Sequence, residues 1–438
     1  MAASAYADVL ASLYRLEAAR GMDFKLERVA LALKSLGDPQ RRFAAIHVAG
    51  TNGKGSVAAM LHAICTAAGY RVGLYTSPHL VSFTERIRVG TDTISEAEVV
   101  ALAHDIRSAA TVRGIDLTFF EFVTVMSFLH FARCGIDLAI VEVGLGGRLD
   151  ATNVIDPAVA VITSIGLDHQ EFLGETLASV AFEKAGIIKP GTPVVVGNVP
   201  PEGESVIEDI AAARSAPLYR WGRDFSTSRG MTFGFHGMGL ELTDLRTTLR
   251  GSFQNENAAT AIAAVLQLPP TFPVGIDAIR LGLESVRWPG RLDVVAANPL
   301  VVLDGAHNLD GIRAIAAELP AIVSGRPIHL LFGVMRDKQW GPMVDTIAPL
   351  VSDVTVTTVL PPRGESAAAL AAAFSRHCAV RLIADPQAAL AELLHTVPDR
   401  ESIVVTGSLF LVGTVYPYFL QRHGKRTLFS GAGATPLP

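Results

Sequence analysis

The run His47-Val48-Ala49-Gly50-Thr51-Asn52-Gly53-Lys54-Gly55-Ser56 sets glycines, a lysine and a hydroxyl between an apolar stretch and a helical pattern. A strand, a glycine turn, a lysine and a helix N-terminus together make an anion cradle. Backbone N–H groups converge there, the helix dipole adds positive potential, and Lys54 supplies a full charge. The phosphates of a nucleotide such as ATP fit this cradle, and the Ser56 hydroxyl is in reach of the metal ion that travels with them. The general phosphate-loop pattern is matched imperfectly, because Val48 stands where its first glycine would be and Gly55 separates Lys54 from Ser56. A glycine-rich turn with a solvated lysine is the other reading of the same letters.

Further polar residues fall where apolar runs end. Glu142 lies near the end of Asp137–Gly144, Asp168-His169 follow Ala158–Gly166, and Asp304 and His307 come at and after the end of Val301–Gly305. If these runs are strands, the side chains emerge at the edge where open α/β sheets bind ligands. Read alone, Glu142 is also a solvated strand-end carboxylate and His169 also a satisfied structural histidine. The ring of His169 emerges beside Glu142 if their two strands are neighbours. Lys184 sits in the helical pattern Thr176–Ile188, where an exposed lysine is the ordinary reading, and Glu183 points about 100° away from it on a helix. Asn257 stands at a helix start, as a nucleotide ligand or as an N-cap. Arg291 follows Pro289-Gly290, placed to clamp phosphates or to make a linker salt bridge. Thr118-Phe119-Phe120-Glu121 offers aromatic surface and a carboxylate, and equally a helix start with core phenylalanines. Arg86 is a further substrate-loop candidate.

These residues need a scaffold of alternating strands and helices. The apolar runs Ile46–Gly50, Asp137–Gly144, Ala158–Gly166 and Pro193–Gly197 are separated by helical patterns at Ser56–Ala68, Ser95–Ala110, Thr118–Arg133 and Thr176–Ile188. Near-continuous Val/Ile/Leu runs are what strands buried on both faces look like, so the pattern predicts βαβ units and a mostly parallel sheet. The stretch Leu218–Gly251 is rich in Gly, Thr and Ser, with alternating segments such as Met231–Phe235, and reads as antiparallel strands. Helices at Glu256–Gln267 and Gly275–Val286 follow. A second alternating series then has strands at Val301–Gly305, Ile328–Gly333, Asp353–Val359, Val380–Ala384 and Ser402–Gly407. The expected architecture is α/β: a P-loop mononucleotide-binding domain over residues 1–297, mostly parallel with a small antiparallel portion, and a Rossmann-like α/β domain over 298–438. The boundary is placed in the turn-prone Ala297-Asn298-Pro299, and Gly431–Pro438 reads as a loose tail.

Bulk composition limits the function classes. Of 438 residues 50% are hydrophobic and 18% charged, as in compact enzymes, and a net charge of −5 gives no basic surface for nucleic acid or an anionic membrane. The apolar stretch near Phe122–Ala132 is too short to span a bilayer. Cys65, Cys134 and Cys378 are widely spaced, as expected for thiols in a reducing cytoplasm.

The form Gly50-Thr51-Asn52-Gly53-Lys54-Gly55-Ser56 resembles the loop of folylpolyglutamate synthases and dihydrofolate synthases, within the Mur ligase superfamily. The resemblance continues in order through Thr76-Ser77-Pro78-His79-Leu80, Glu85-Arg86-Ile87, the segment from Glu142 to Asn153, Asp168-His169, and Glu183-Lys184-Ala185-Gly186. It ends with Asn257-Ala258-Ala259, Trp288-Pro289-Gly290-Arg291, Asp304-Gly305-Ala306-His307-Asn308 and Gly407-Ser408-Leu409. Phe253-Gln254 and the Gln339 after Asp337-Lys338 depart from the family pattern.

The resemblance implies an ATP-dependent ligase that adds L-glutamate to dihydropteroate or to folates through an acyl phosphate. It implies two Mg2+ ions, held by Ser56 and Glu142 and by Ser77, Glu142 and His169, and a carbamylated Lys184. It also implies a requirement for a monovalent cation, K+. Asn257, Arg291 and Asp304 would face the nucleotide, His307 and Ser408 the incoming glutamate, and Arg86 and Glu121 the pterin end. Lys54, Glu142, His169, Lys184, Asp304 and His307 form the expected catalytic set in a cytoplasmic monomer. A Mur-type peptidoglycan ligase and a P-loop NTPase switch are the competing readings. The first normally carries an extra N-terminal domain. The second predicts an Asn-Lys-x-Asp tetrapeptide, which is not present.

Overall fold

The computed structural model describes residues 2–20, 25–228, 230, 232–422 and 428–429, and the Gly431–Pro438 tail lies outside them. The chain divides into two compact units, the first comprising Met1–His79, Phe83–Thr248 and Asn255–Val286 and the second Leu80–Ser82, Leu249–Gln254 and Arg287–Pro438.

The first unit is built on eight strands: β1 (Ala44–Ala49), β2 (Val72–Tyr75), β3 (Ile87–Val89), β4 (Asp92–Thr93), β5 (Leu138–Glu142), β6 (Val159–Ile162), β7 (Val194–Val196) and β8 (Leu218–Arg220). Their order is β4-β3-β2-β5-β1-β6-β7-β8. From β2 to β8 every pairing is parallel, and β3 and β4 add an antiparallel edge. β1, β2, β5, β6 and β7 are buried along almost their whole length, which is why they read as unbroken Val/Ile/Leu runs. A small antiparallel sheet, β9 (Phe225–Thr227), β10 (Phe233–Gly237) and β11 (Leu240–Leu245), follows. Leu218–Arg220, expected among the antiparallel strands, instead pairs with β7 as the last parallel strand of the main sheet.

The helix Phe119–Cys134 is apolar on nearly every face and buried from Phe119 to Phe131 except at Phe120. An all-round apolar helix needs cover on several sides. The helices Ala2–Arg20, Leu26–Ser35 and Glu96–Arg113 share its core. The first two of these helices precede Ile46, where the sequence pattern predicts no element.

The second unit carries the strands β12 (Asp293–Ala297), β13 (Leu300–Leu303), β14 (Ile328–Phe332), β15 (Asp353–Val356), β16 (Ala379–Leu382) and β17 (Ser402–Thr406), in the order β12-β13-β17-β14-β15-β16. All pair in parallel except the hairpin of β12 and β13. That hairpin displaces the expected boundary. Ala297-Asn298-Pro299 is its turn, not a linker, and the division falls at Arg287. Among the described residues no helix is long and apolar enough to cross a membrane.

Candidate active site

Spatial order and chain order differ in the main sheet, and the difference builds the site. β2, β5, β1 and β6 lie side by side and parallel, so the segments after each emerge at one edge. These segments carry Ser77, Glu142, the loop Gly50–Ser56 and the stretch Thr163–His169. The edge is the C-terminal one, where doubly wound sheets hold ligands.

The loop has a glycine wherever its path demands one. Gly50 has φ 149° and Gly53 φ 83°. A Cβ on Gly50 would lie 1.9 Å from Thr163 Oγ1, and one on Gly53 2.6 Å from Asn257 Oδ1. Asn257 therefore sits against the loop. The helix Lys54–Ala67 starts at Gly53 with no side chain capping it, whereas Glu96–Arg113, Phe119–Cys134 and Leu177–Ala185 all begin with capping boxes. A bare helix start beside a lysine is the arrangement a phosphate fits.

The loop is pinned from the side by residues after β6. The Asn52 N–H donates to Ser164 Oγ at 2.9 Å, Thr163 Oγ1 donates to the Asn52 carbonyl at 2.7 Å, and Thr51 Oγ1 donates to the Gly166 carbonyl at 3.0 Å. Thr163 and Ser164 are positioning residues that sequence reasoning missed. Their only signal was two hydroxyls closing an apolar run. Lys54 bends back, donating from Nζ to the carbonyls of Gly50 at 3.0 Å and Thr51 at 3.2 Å.

Lys184 joins the same loop. Its Nζ donates to the Gly50 carbonyl at 2.8 Å, and the side chain is buried. Burial first, then the charge of Lys54, lowers its pKa from 10.5 to about 7. The ordinary expectation of an exposed helical lysine is thus overturned. Close glycine packing buries it: a Cβ on Gly147 would meet the Glu183 and Lys184 carbonyls at 2.9 Å, and one on Gly186 the Arg148 Cβ at 2.3 Å. Glu183 turns away, as its helical offset requires, to pair with Arg148 at 2.8 Å.

Glu142 is buried at the end of β5, where its Oε2 accepts the Ser77 N–H at 3.2 Å. The turn after it is fixed by Asp150, a second missed positioning residue. Asp150 accepts the N–H groups of Gly144 and Leu145 on one oxygen and of Thr152 on the other, at 2.9–3.0 Å. His169 follows Asp168 at φ 51°. Its strand is not the neighbour of Glu142's strand, because β1 lies between β5 and β6. The buried Ser56 hydroxyl and the Glu142 carboxylate are hard oxygen donors of the kind Mg2+ takes.

Two pterin candidates are already engaged inside the fold. Glu121 closes a capping box, accepting the Thr118 N–H at 2.7 Å on one oxygen, and its other oxygen takes the Arg28 guanidinium at 2.8 Å. That is the helix-start reading of Thr118-Phe119-Phe120-Glu121. Arg86 is buried, donates from Nε to His79 Nδ1 at 2.8 Å, and lies 5.3 Å from the Phe119 ring centre.

In the second unit β13 and β17 are neighbours, so Asp304–His307 and Gly407-Ser408 emerge together. The Gly407 N–H donates to the Ala306 carbonyl at 3.1 Å. Asp304 is buried and accepts the N–H groups of Leu292 and Ala306, each at 2.8 Å, so it positions the Arg291 and His307 loops. Burial raises its pKa, against the pull of Arg291. A Cβ on Gly305 would lie 2.6 Å from Arg291 Nη1, which places that guanidinium over the strand end. His307 Nδ1 is 2.8 Å from the Gly305 carbonyl, and the buried Ser408 accepts the Phe410 N–H at 3.1 Å.

The Mur ligase middle domain matches residues 48–265 and the Mur ligase glutamate ligase domain matches residues 290–409, which defines the class as a Mur-type ligase. A folylpolyglutamate synthase of Lacticaseibacillus casei is 38% identical over 401 residues, covering 89% of this chain and 92% of the relative. The solved structure of E. coli FolC in complex with DHPP and ADP superposes with a TM-score of 0.87 at 34% identity, covering 95% of this chain and 98% of that one. A bifunctional folylpolyglutamate synthase/dihydrofolate synthase solved with Mn, AMPPNP and L-glutamate bound gives 0.84 at 35% identity, covering 94% and 97%. The chain belongs to the folylpolyglutamate synthase/dihydrofolate synthase family of ATP-dependent ligases. The peptidoglycan-ligase and switch readings find no support in these relatives.

Proposed function

We propose that this chain binds ATP on Gly50–Ser56 and uses it to join the amino group of glutamate to the carboxylate of dihydropteroate or of a folate. A carboxylate oxygen is a poor leaving group, so it must first take the γ-phosphoryl group. The resulting acyl phosphate is open to the glutamate amine, and collapse of the tetrahedral adduct yields the amide and phosphate. Such chemistry asks the protein mainly for positioning and charge neutralisation. The observation that carries this reading is the gathering of the loop, Ser77, Glu142 and Thr163–His169 at one edge of a parallel sheet.

Lys54 exchanges the Gly50 and Thr51 carbonyls for phosphate oxygens when the nucleotide arrives. Ser56 and Glu142 would hold one Mg2+, and Ser77, Glu142 and His169 a second. These ions supply charge neutralisation at the phosphates. The Lys184 amine, with its pKa near 7, has a large neutral fraction at neutral pH and would add carbon dioxide at Nζ, releasing a proton to solvent, to give an anionic carbamate. Asn257 and Arg291 bind the nucleotide, Asp304 fixes the Arg291 loop, and His307 and Ser408 receive glutamate. A K+ requirement belongs to the same proposal, as does a cytoplasmic setting, in keeping with free thiols at Cys65, Cys134 and Cys378.

Phosphate release from ATP tests the reading. Release is expected only when dihydropteroate, or tetrahydrofolate in a parallel series, and glutamate are both present. Release without an acceptor, or only with a muramoyl peptide, would overturn it.

A further inference from the structure

The helices Glu96–Arg113 and Phe119–Cys134 bring together a carboxylate, an imidazole and a thiol that the ligase chemistry does not use. His130 and Cys134 are one turn apart on the second helix, and Glu98 comes from the first turn of the other. One donor atom from each lies within 4.8 Å of the other two, and among the described residues this is the single such triad of His, Cys, Asp and Glu side chains. His130 Nδ1 is 4.0 Å from Cys134 Sγ and 3.7 Å from Glu98 Oε1. Zinc bonds of about 2.3 Å to sulfur and about 2.1 Å to nitrogen or oxygen separate tetrahedral ligands by about 3.4–3.6 Å. The two His130 pairs need to close by only a few tenths of an ångström, and the Glu98–Cys134 pair starts within 4.8 Å.

The supporting groups point the same way. Glu98 Oε2 is held by the Ser95 N–H at 3.1 Å and by the Ser95 hydroxyl at 2.7 Å, which leaves Oε1 turned to His130. Anchoring of a ligand's second oxygen is the usual outer support of a metal site. His130 is buried, Cys134 half-buried and Glu98 exposed, so the triad has an open side. Burial and the Glu98 charge push the Cys134 thiol up, against the pull of Arg71, which reaches the sulfur and must yield that place to an incoming ion. The helix bearing Cys134 leads through Gly135 into the start of β5, whereas Glu142 ends that strand. The triad therefore lies at the edge of the sheet opposite the nucleotide loop.

We propose that Glu98, His130 and Cys134 bind one zinc-type divalent ion, with water as fourth ligand, and so clip the two helices together. The Cys134 thiolate selects such an ion, while the Ser56 and Glu142 oxygens at the nucleotide loop select Mg2+, so the sulfur donor sorts the two metals. Binding forms a sulfur–metal bond and releases the thiol proton to solvent.

The test uses the full chain stripped of metal and titrated with Co2+ in excess Mg2+. A thiolate-to-cobalt charge-transfer band at one equivalent is expected, lost on addition of Zn2+. The band should vanish in Cys134→Ser and persist in Cys378→Ser, and His130→Gln should weaken Zn2+ binding at least about tenfold. Zn2+ should raise Tm in the wild type and not in Cys134→Ser. Absence of the band, its survival in Cys134→Ser, or unchanged Zn2+ affinity in His130→Gln would overturn the proposal. ATP-dependent phosphate release, measured separately, is not the readout.

Discussion

Lys184 places an amine where water is excluded, and its energetics follow from that. The folded pKa is about 7 against 10.5 for the ordinary side chain. Between those values the unfolded chain holds the proton and the folded chain does not. Stability from this group is therefore full above pH 10.5 and is lost as pH falls toward 7. Lys184→Met should abolish ligase turnover yet raise Tm at pH 7 in CO2-free buffer, by an amount that shrinks as pH climbs toward 10. Calorimetry at several pH values with a parallel phosphate-release assay checks both halves, and a variant less stable than wild type at pH 7 would show that burial is not the source of the shift. Gly50→Ala is the sharper lesion for the nucleotide. It drives a methyl to 1.9 Å from Thr163 Oγ1 at a φ that favours glycine, and ATP affinity by equilibrium titration should fall at least about a hundredfold.

At the scale of elements, the phosphate loop is only as well placed as its bond to the end of β6. Thr163→Val keeps the shape of the side chain and removes the one hydroxyl proton that the Asn52 carbonyl, at 2.7 Å, and the Ala49 carbonyl, at 3.3 Å, share. The expected result is a higher KM for ATP with a smaller change in kcat, and a stability loss of about 1 kcal/mol in denaturant unfolding. An unchanged KM would show that the loop holds its form alone. The parallel strands β1, β5, β6 and β7 were legible because burial on both faces leaves an unbroken apolar run. β2 was not, since four residues with Gly73 among them carry little pattern, and β12 was hidden because its hairpin turn imitates a linker. The loop, Glu142 and the second-unit strand ends could be read from residue types at the ends of runs. The burial of Lys184 and the placing of β1 between the strands that lead to Glu142 and His169 could not, because one depends on Gly147 and Gly186 packing tightly and the other on a strand order that no local pattern encodes.

For the molecule as a whole, charge is distributed so that acid attacks the first unit. His47, His62 and His79 all lie in it, and burial lowers each from an ordinary 6.5 to about 3, with help from Lys189, Arg88 and Arg86 respectively. Their folded pKa values lie below their unfolded ones, so the stability they contribute is present above pH 6.5 and is lost as pH falls toward 3. Hydrogen exchange, corrected for its intrinsic pH dependence, should show the amides of β1 and β2 losing protection between pH 6.5 and 4. Protection that stays constant over that range would refute this. The interleaved strand order has a further consequence during synthesis. β1 is made first, but the partners on its two sides, β5 and β6, lie far downstream. A ribosome therefore extrudes the complete glycine loop well before its anchors exist, and a product truncated ahead of Thr163 would carry the letters of a nucleotide site with nothing to hold them in shape.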